Sequence, residues 1–149
     1  MASNVRTTAG STIGISATVP ASYDEAGLGA LTYDLIADVT DFGEFGRVYN
    51  LVTHNPVADR RTVKRKGSFN DGAVTLQLGR DASDVGQMAA KIAQDDDASQ
   101  YIDITLQDGT RLLFSAQVMG FTYSLGNVDS ITAGSITLEI DNDIIEVAP

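Results

Sequence analysis

From Ile13 to Ile140 apolar and polar residues change places at almost every step within a series of short windows. Such a period of two can bury one side of the chain only if the backbone pairs as strands. Ile13, Ile15, Ala17 and Val19 alternate with Thr12, Gly14, Ser16 and Thr18, and Pro20 ends the run. The same signature places Leu35, Ala37 and Val39 on one parity, then Val74, Leu76 and Leu78, then Ile102, Ile104 and Leu106. It returns at Leu112, Phe114, Ala116 and Val118, and at Ile136, Leu138 and Ile140. A further strand is expected over 61–67. Asn70-Asp71-Gly72 predicts a hairpin joining it to the strand at 73–78, and Asp108-Gly109 predicts a second hairpin. Leu113, Met119 and Phe121 put apolar residues on the other parity of the strand after Gly109, which predicts a strand covered on both faces.

One helix stands out. Val85, Met88, Ala89 and Ile92 recur at i, i+3, i+4 and i+7, a single apolar stripe that predicts the core-facing side. Asp81 or Ser83 can cap its start, and Asp95-Asp96-Asp97 oppose the negative end of the dipole, so the helix should stop before them. Ser22 and Glu25 have capping-box spacing, but Gly27 and Gly29 limit any helix there to a short one. These signals predict a mainly β fold of two packed antiparallel β-sheets, a β-sandwich or partial barrel, with one flanking α-helix. The 149 residues fit one domain, 1–149. Within it we expect an N-terminal arm at 1–10, a long interaction loop at 43–60 holding Phe45, Val48, Tyr49, Leu51 and Val52, and a C-terminal arm at 143–149.

Chemistry is sparse. There is no cysteine, hence no disulfide, thiolate metal site or Cys nucleophile. No phosphate-binding glycine loop, nucleophile elbow or His-Glu-x-x-His is present. His54 is the only histidine and has no nucleophile or metal ligand beside it in sequence, so it reads as a polar loop or interface residue. Asp95-Asp96-Asp97 and the group Asp141, Asp143 and Glu146 lack the spacing of a calcium loop and read as solvated acids. Asp38, Asp41 and Glu44 are a conceivable carboxylate set with nothing nearby to desolvate one of them. No cofactor, metal or catalytic residue is expected, and neither a secretory signal nor a membrane-spanning helix.

The unusual feature is the placement of charge. The chain carries a net charge of -10, which disfavours coating nucleic acid. Yet Arg60, Arg61, Lys64, Arg65 and Lys66 put five of the ten cations into seven residues. On a strand Arg61 and Arg65 point opposite to Lys64 and Lys66, which splits any nucleic-acid patch. A basic segment beside an apolar loop on an acidic body can instead dock on another copy of itself. Head-to-tail contacts of that kind generate rings or stacks.

The run Thr40-Asp41-Phe42-Gly43-Glu44-Phe45-Gly46-Arg47 continues through Tyr49-Asn50 and Val52-Thr53-His54 to the segment Arg61 to Gly67. With Asn70-Asp71-Gly72, Leu78-Gly79-Arg80-Asp81, Phe114, Val118 and residues 135–140, it resembles the major tail tube proteins of long-tailed, non-contractile bacteriophages. The resemblance covers about 37–140. It implies a structural virion protein rather than an enzyme, made in the host cytoplasm and resident in the phage tail. Homo-hexameric rings would join strands of neighbouring subunits into a β-barrel around a lumen and stack into a tube that conducts double-stranded DNA without binding it specifically. Tip or initiator, terminator and tape-measure proteins would be partners, and no membrane would be. It further implies that Phe42, Phe45 and Tyr49 make apolar contacts between subunits or rings, that His54 is polar there, and that Arg60, Arg61, Lys64, Arg65 and Lys66 anchor the contact. The alternatives are a small soluble β-sandwich binding module or carboxylate-based hydrolase, and the inner tube of a contractile injection machine.

Overall fold

Each alternating window has one apolar parity to bury, and the strands form so that those parities meet. The computed structural model describes residues 3–149, so the first two residues of the expected N-terminal arm lie outside it; residues 3–10 are exposed and form no helix or strand. In chain order the elements are β1 (Thr12–Ser16), α1 (Glu25–Gly29), β2 (Asp34–Leu35), β3 (Val39–Asp41), β4 (Val48–His54) and β5 (Val63–Asn70). They continue with β6 (Ala73–Gly79), α2 (Val85–Ala93), β7 (Gln100–Thr105), β8 (Arg111–Ser124), β9 (Ala133–Ile140) and β10 (Ile145–Val147). One antiparallel sheet runs β2-β1-β7-β8-β9-β6-β3 with β10 added beside β8, and it curls into a half-barrel. A second sheet contains only β4 and β5.

The curl closes the inner face of the large sheet on a single core. Ile13 and Ile15 from β1, Val74, Leu76 and Leu78 from β6, Ile102 and Ile104 from β7, Phe114 from β8 and Ile136 and Leu138 from β9 all belong to it and are buried. The β7–β8 hairpin forms around Asp108-Gly109, with Gly109 in the left-handed region at φ 95°. Both faces of β8 are indeed used. Leu113 is fully buried away from the core cluster, on the strand where α1 packs, and Leu28 of α1 is also fully buried. A bulge at Met119 then shifts the β8–β9 register between Val118 and Gly120. Phe121 thereby moves onto the core face and Met119 stays exposed.

Five expectations need correction. The stretch 35–39 is split between β2 and β3 and its named parity is not the buried one: Leu35 is 59% exposed, Ala37 is exposed, and Ile36 joins the core. Residues 43–60 are not a loop throughout: 48–54 are the strand β4, because β5 offers its backbone a partner across the whole stretch. Asn70-Asp71-Gly72 turns the chain without making a hairpin, since β5 pairs with β4 while β6 pairs with β9 and β3. Residues 145–147 of the expected C-terminal arm are pinned to 111–113 of β8. The last concerns α2, where Val85 (62% exposed), Met88 and Ile92 (70%) of the expected core stripe face outward and Ala89 alone of them packs on the core.

The small-residue side of α2 goes inward instead, with Gly86, Ala90 and Ala93 buried. A Cβ on Gly86 would stand 2.2 Å from the Leu35 carbonyl oxygen, so the helix lies too close to β2 for any larger residue. The Asp84 carboxylate, rather than Asp81 or Ser83, caps the helix by accepting from the Gln87 N–H at 3.0 Å. Gln87 itself is fully buried with all of its amide engaged. Its Nε2 donates to the carbonyls of Ala37 at 3.0 Å and Gly79 at 2.9 Å. Its Oε1 accepts from the Asp81 N–H at 3.0 Å and the Arg80 guanidinium at 3.1 Å. This one side chain fastens the helix to the ends of both neighbouring segments.

Gln87→Leu keeps the volume and orphans buried backbone groups, so we expect a loss of about 2–3 kcal/mol, read as a lower urea midpoint with an unchanged m-value. Near α1, Tyr33 donates its hydroxyl to the Leu28 carbonyl at 2.8 Å, and burial, then the Asp103 carboxylate, push its phenol up to about 12. Its folded value exceeds the unfolded value of about 10. The stability it contributes is therefore present below pH 10 and is lost as the pH rises towards 12. Tyrosinate absorbance of wild type minus Tyr33→Phe should show one late-ionising phenol.

Candidate functional site

Residues 47–70 hold six of the ten cations and, in Asp59, one of the twenty acids. The molecule is thus a positive arm on a strongly negative body. The arm is the β4–β5 ribbon, joined by the irregular segment 55–62. Every residue of β4 is exposed, with Val48 at 70% and Leu51 at 65%. A two-stranded ribbon surrounded by water is at best marginally stable.

The cross-strand register sorts its side chains. Tyr49, Leu51 and Thr53 stand opposite Phe69, Lys66 and Lys64 on one face. Val48, Val52 and His54 stand opposite Asn70, Arg65 and Val63 on the other. On the first face the Tyr49 and Phe69 rings lie 5.3 Å apart, Lys66 Nζ sits 4.9 Å from the Tyr49 ring centre, and the Arg47 guanidinium 4.0 Å from that of Phe69. Each such exposed contact contributes about 0.5–1 kcal/mol. They stiffen the ribbon without giving it a core.

The root of the arm is tied down more firmly. Arg47 Nε reaches Asp71 Oδ1 at 3.1 Å, and its terminal nitrogen pairs with Asp143. The Gly46 N–H donates to the Asp71 carbonyl at 3.1 Å. Hydrogen bonds to Asp71, to Tyr49 and to Asp143 hold the Arg47 guanidinium protonated even more firmly than usual. Asp143 belongs to a second network. Tyr23 donates to its carbonyl oxygen at 2.6 Å and accepts from the Ser115 N–H at 3.0 Å, while Asp141 accepts from the Ser99 and Ser115 hydroxyls.

Of the residues singled out from sequence, Tyr49, Lys64 and Lys66 come together on one face of the arm, while His54 and Arg65 lie on the other. Arg60 and Arg61 are exposed in the connecting segment, where the Arg61 N–H donates to Asp59. Phe42 and Phe45 are half-buried against the chain's own core, with the Phe45 ring 5.8 Å from that of Phe114. They brace the approach to the arm from inside. Arg47 and Phe69 were missed by sequence reasoning as members of this surface.

The acids flagged as possible ligands are used locally or lie in solvent. Asp41 accepts from the Gly43 N–H at 2.8 Å and Asp96 from the Ala98 N–H at 2.9 Å. Asp38, Asp41 and Glu44 are exposed. Among the described residues no group of three His, Asp or Glu is arranged to hold a metal, and no helix is long and apolar enough to cross a membrane.

The outer face of the large sheet has its own chemistry. Thr75 pairs across strands with Thr137, Gln77 and Thr122 flank Ser135, and Gln117 stands opposite Glu139. This stretch of β6, β9 and β8 is hydroxyl and amide with a single acid and no cation.

No protein-family model matches the chain, and no curated protein matches it. Solved structures do. A chain of the cryo-EM structure of the anti-feeding prophage baseplate superposes with a TM-score of 0.75 at 11% identity, over 99% of this chain and 98% of that one. A chain from an extracellular contractile injection system, the PVC sheath/tube terminator in its extended state, gives 0.72 at 12% identity over 99% and 100%. The SPP1 tail tube gives 0.63 at 14% identity over 93% and 77%. The likeness is one of fold.

Arg47→Met removes both ion pairs at the root. We expect the β4–β5 amides to lose hydrogen-exchange protection while those of β6, β8 and β9 keep theirs. Equal protection in both proteins would show that the arm does not depend on this contact.

Proposed function

We propose that this chain is the repeating subunit of a tail tube, assembling into hexameric rings that stack head-to-tail around a lumen through which double-stranded DNA passes. The observation that carries the reading is the arm: an apolar, positively charged ribbon with no core of its own, on a body of opposite charge. Such a surface gains stability when it is covered, and a complementary surface is the acidic body of another copy. Arm and body are different patches, so the contact is heterologous, and a heterologous contact repeats into rings or filaments rather than closing as a dimer. The fold similarity to the SPP1 tail tube supports the same reading.

In this proposal Tyr49, His54, Arg60, Arg61, Lys64, Arg65 and Lys66 form the subunit or ring interface, with Phe42 and Phe45 holding the arm's root. The hydroxyl and amide face of β6, β9 and β8 lines the lumen. With no cation there, DNA phosphates meet nothing that would release their counterions and grip them. Initiator, terminator and tape-measure proteins would then be the tube's other partners, and the virion tail its location. The sequence resemblance favours the unsheathed, non-contractile tail. The inner tube of a contractile injection machine is the second reading, favoured by the near-complete superposition on a chain from an extracellular contractile injection system.

Arg61→Glu combined with Lys64→Glu should leave the monomer folded, with unchanged circular dichroism, and abolish tubes in negative-stain micrographs. Tubes at wild-type yield would refute the role given to the arm. A sheath around native tubes would decide for the second reading.

A further inference from the structure

Among the described residues nothing covers the outward stripe of α2. Val85, Met88 and Ile92 are all substantially exposed. Beside Ile92 lies a hollow of about 240 Å³ between α2 and the first strand, lined by Ile15, Ala89 and Ile92 with Asp34 and Asp96. Asp96 continues the helical path, its N–H donating to the Ala93 carbonyl at 3.0 Å. The surface is an apolar strip that ends in an apolar hollow flanked by carboxylates.

We propose that this strip is the seat for the Tyr49–Leu51–Phe69 face of the arm of a neighbouring copy. The match is one of apolar chemistry and of charge. Leu51 and Lys66 stand directly opposite each other in the ribbon, so one face offers an aliphatic side chain and an ammonium group side by side. Leu51 enters the hollow against Ile92 and Ala89. Lys66 and Lys64 lay their methylene stems on the apolar wall and carry their charges to Asp34 and Asp96. The opposite face of the ribbon, with Val52, Arg65 and His54, is left for other contacts. The arm and the strip are separate surfaces of one chain, so each copy gives an arm to one neighbour and receives one from another.

This inference rests on the tube reading and adds the identity of the arm's seat. Because the chain has no cysteine, introduced thiols report contacts without background. The test uses the full chain carrying Leu51→Cys and Ile92→Cys, assembled into tubes and treated with a short bis-maleimide. A ladder of dimers, trimers and higher multimers is expected on denaturing gels, and none beyond dimer with either cysteine alone. As a second arm of the test, Lys64→Glu with Lys66→Glu should abolish tubes, and adding Asp34→Lys with Asp96→Lys should restore them. Tubes that form normally but give no Leu51–Ile92 ladder would overturn the seat while leaving the tube reading intact. Failure of the wild-type chain to form rings or tubes under any condition that assembles the intact particle would overturn both.

Discussion

The β4–β5 ribbon has backbone pairing along its length and almost nothing beneath its side chains, and the rest of the molecule is arranged around that deficit. The long strands of the half-barrel each bury one parity; here Val48, Leu51 and Val52 gain little from their own chain. What keeps the ribbon ordered is its root, where Arg47 joins Asp71 to Asp143 and the Phe45 ring leans on Phe114. The molecule therefore has two tiers of stability, a body closed on one core and an arm near the bottom of the scale. An element poised in this way loses little freedom on docking, because its register and its ring contacts already exist.

The same economy appears on the other side of the core. A helix laid on a sheet ordinarily turns its large apolar residues inward. In α2 the close approach at Gly86 and the four-way engagement of Gln87 put the small residues inward, and Val85, Met88 and Ile92 outward. The large sheet already fills its own interior through its curl, with Phe114, Leu76 and Leu138 fully buried, so the helix is needed as a thin lid and not as a source of volume. Apolar surface is displaced to the outside at two remote places, one ringed by cations and the other flanked by acids.

The strands that carry the core were legible in the sequence because their alternation is unbroken: β1, β6, β7 and β9 each bury the parity that periodicity names. Bulges are where the reading ended. One inserted residue, Met119, exchanges the faces of everything after it in β8, so Phe121 joins the core although its parity assigns it elsewhere. The register shift between Tyr49 and Leu51 does the same in the arm and brings Phe69 onto the face of Lys66. A glycine lies at each bulge, Gly67 in β5 and Gly120 in β8, but a strand glycine does not say which residue is inserted or which faces exchange. The helix was misread for a different reason. Its period was right, but the depth at which a helix sits depends on how near its neighbour's backbone comes, and Gly86, Ala90 and Ala93 record that only once Leu35 is known to lie against them. The basic cluster was legible from counting alone; that it lies on a ribbon and its connecting segment required knowing which strand β5 pairs with.

In the proposed tube, charge placement links assembly to conduction. DNA is gripped by cations, each of which releases counterions from the phosphates it meets. A subunit that needs cations to find its neighbours thus risks making a sticky tube. In this chain six of the ten cations lie on the arm or at its root, and Arg111 is paired with Asp103 at 2.6 Å. Arg80 sits near the Phe121 and Tyr123 rings and Lys91 near that of Tyr123, all on the α2 side of the sheet. The outer face of β6 and β9 carries no cation, its polar groups being hydroxyls, amides and Glu139. If the arm docks on an acidic neighbour, the contact that builds the tube also withdraws its positive charge from the wall. Assembly and a non-adhesive lumen are then two consequences of one interaction, and a cation moved from the arm to Thr75 or Thr137 would weaken the first while spoiling the second.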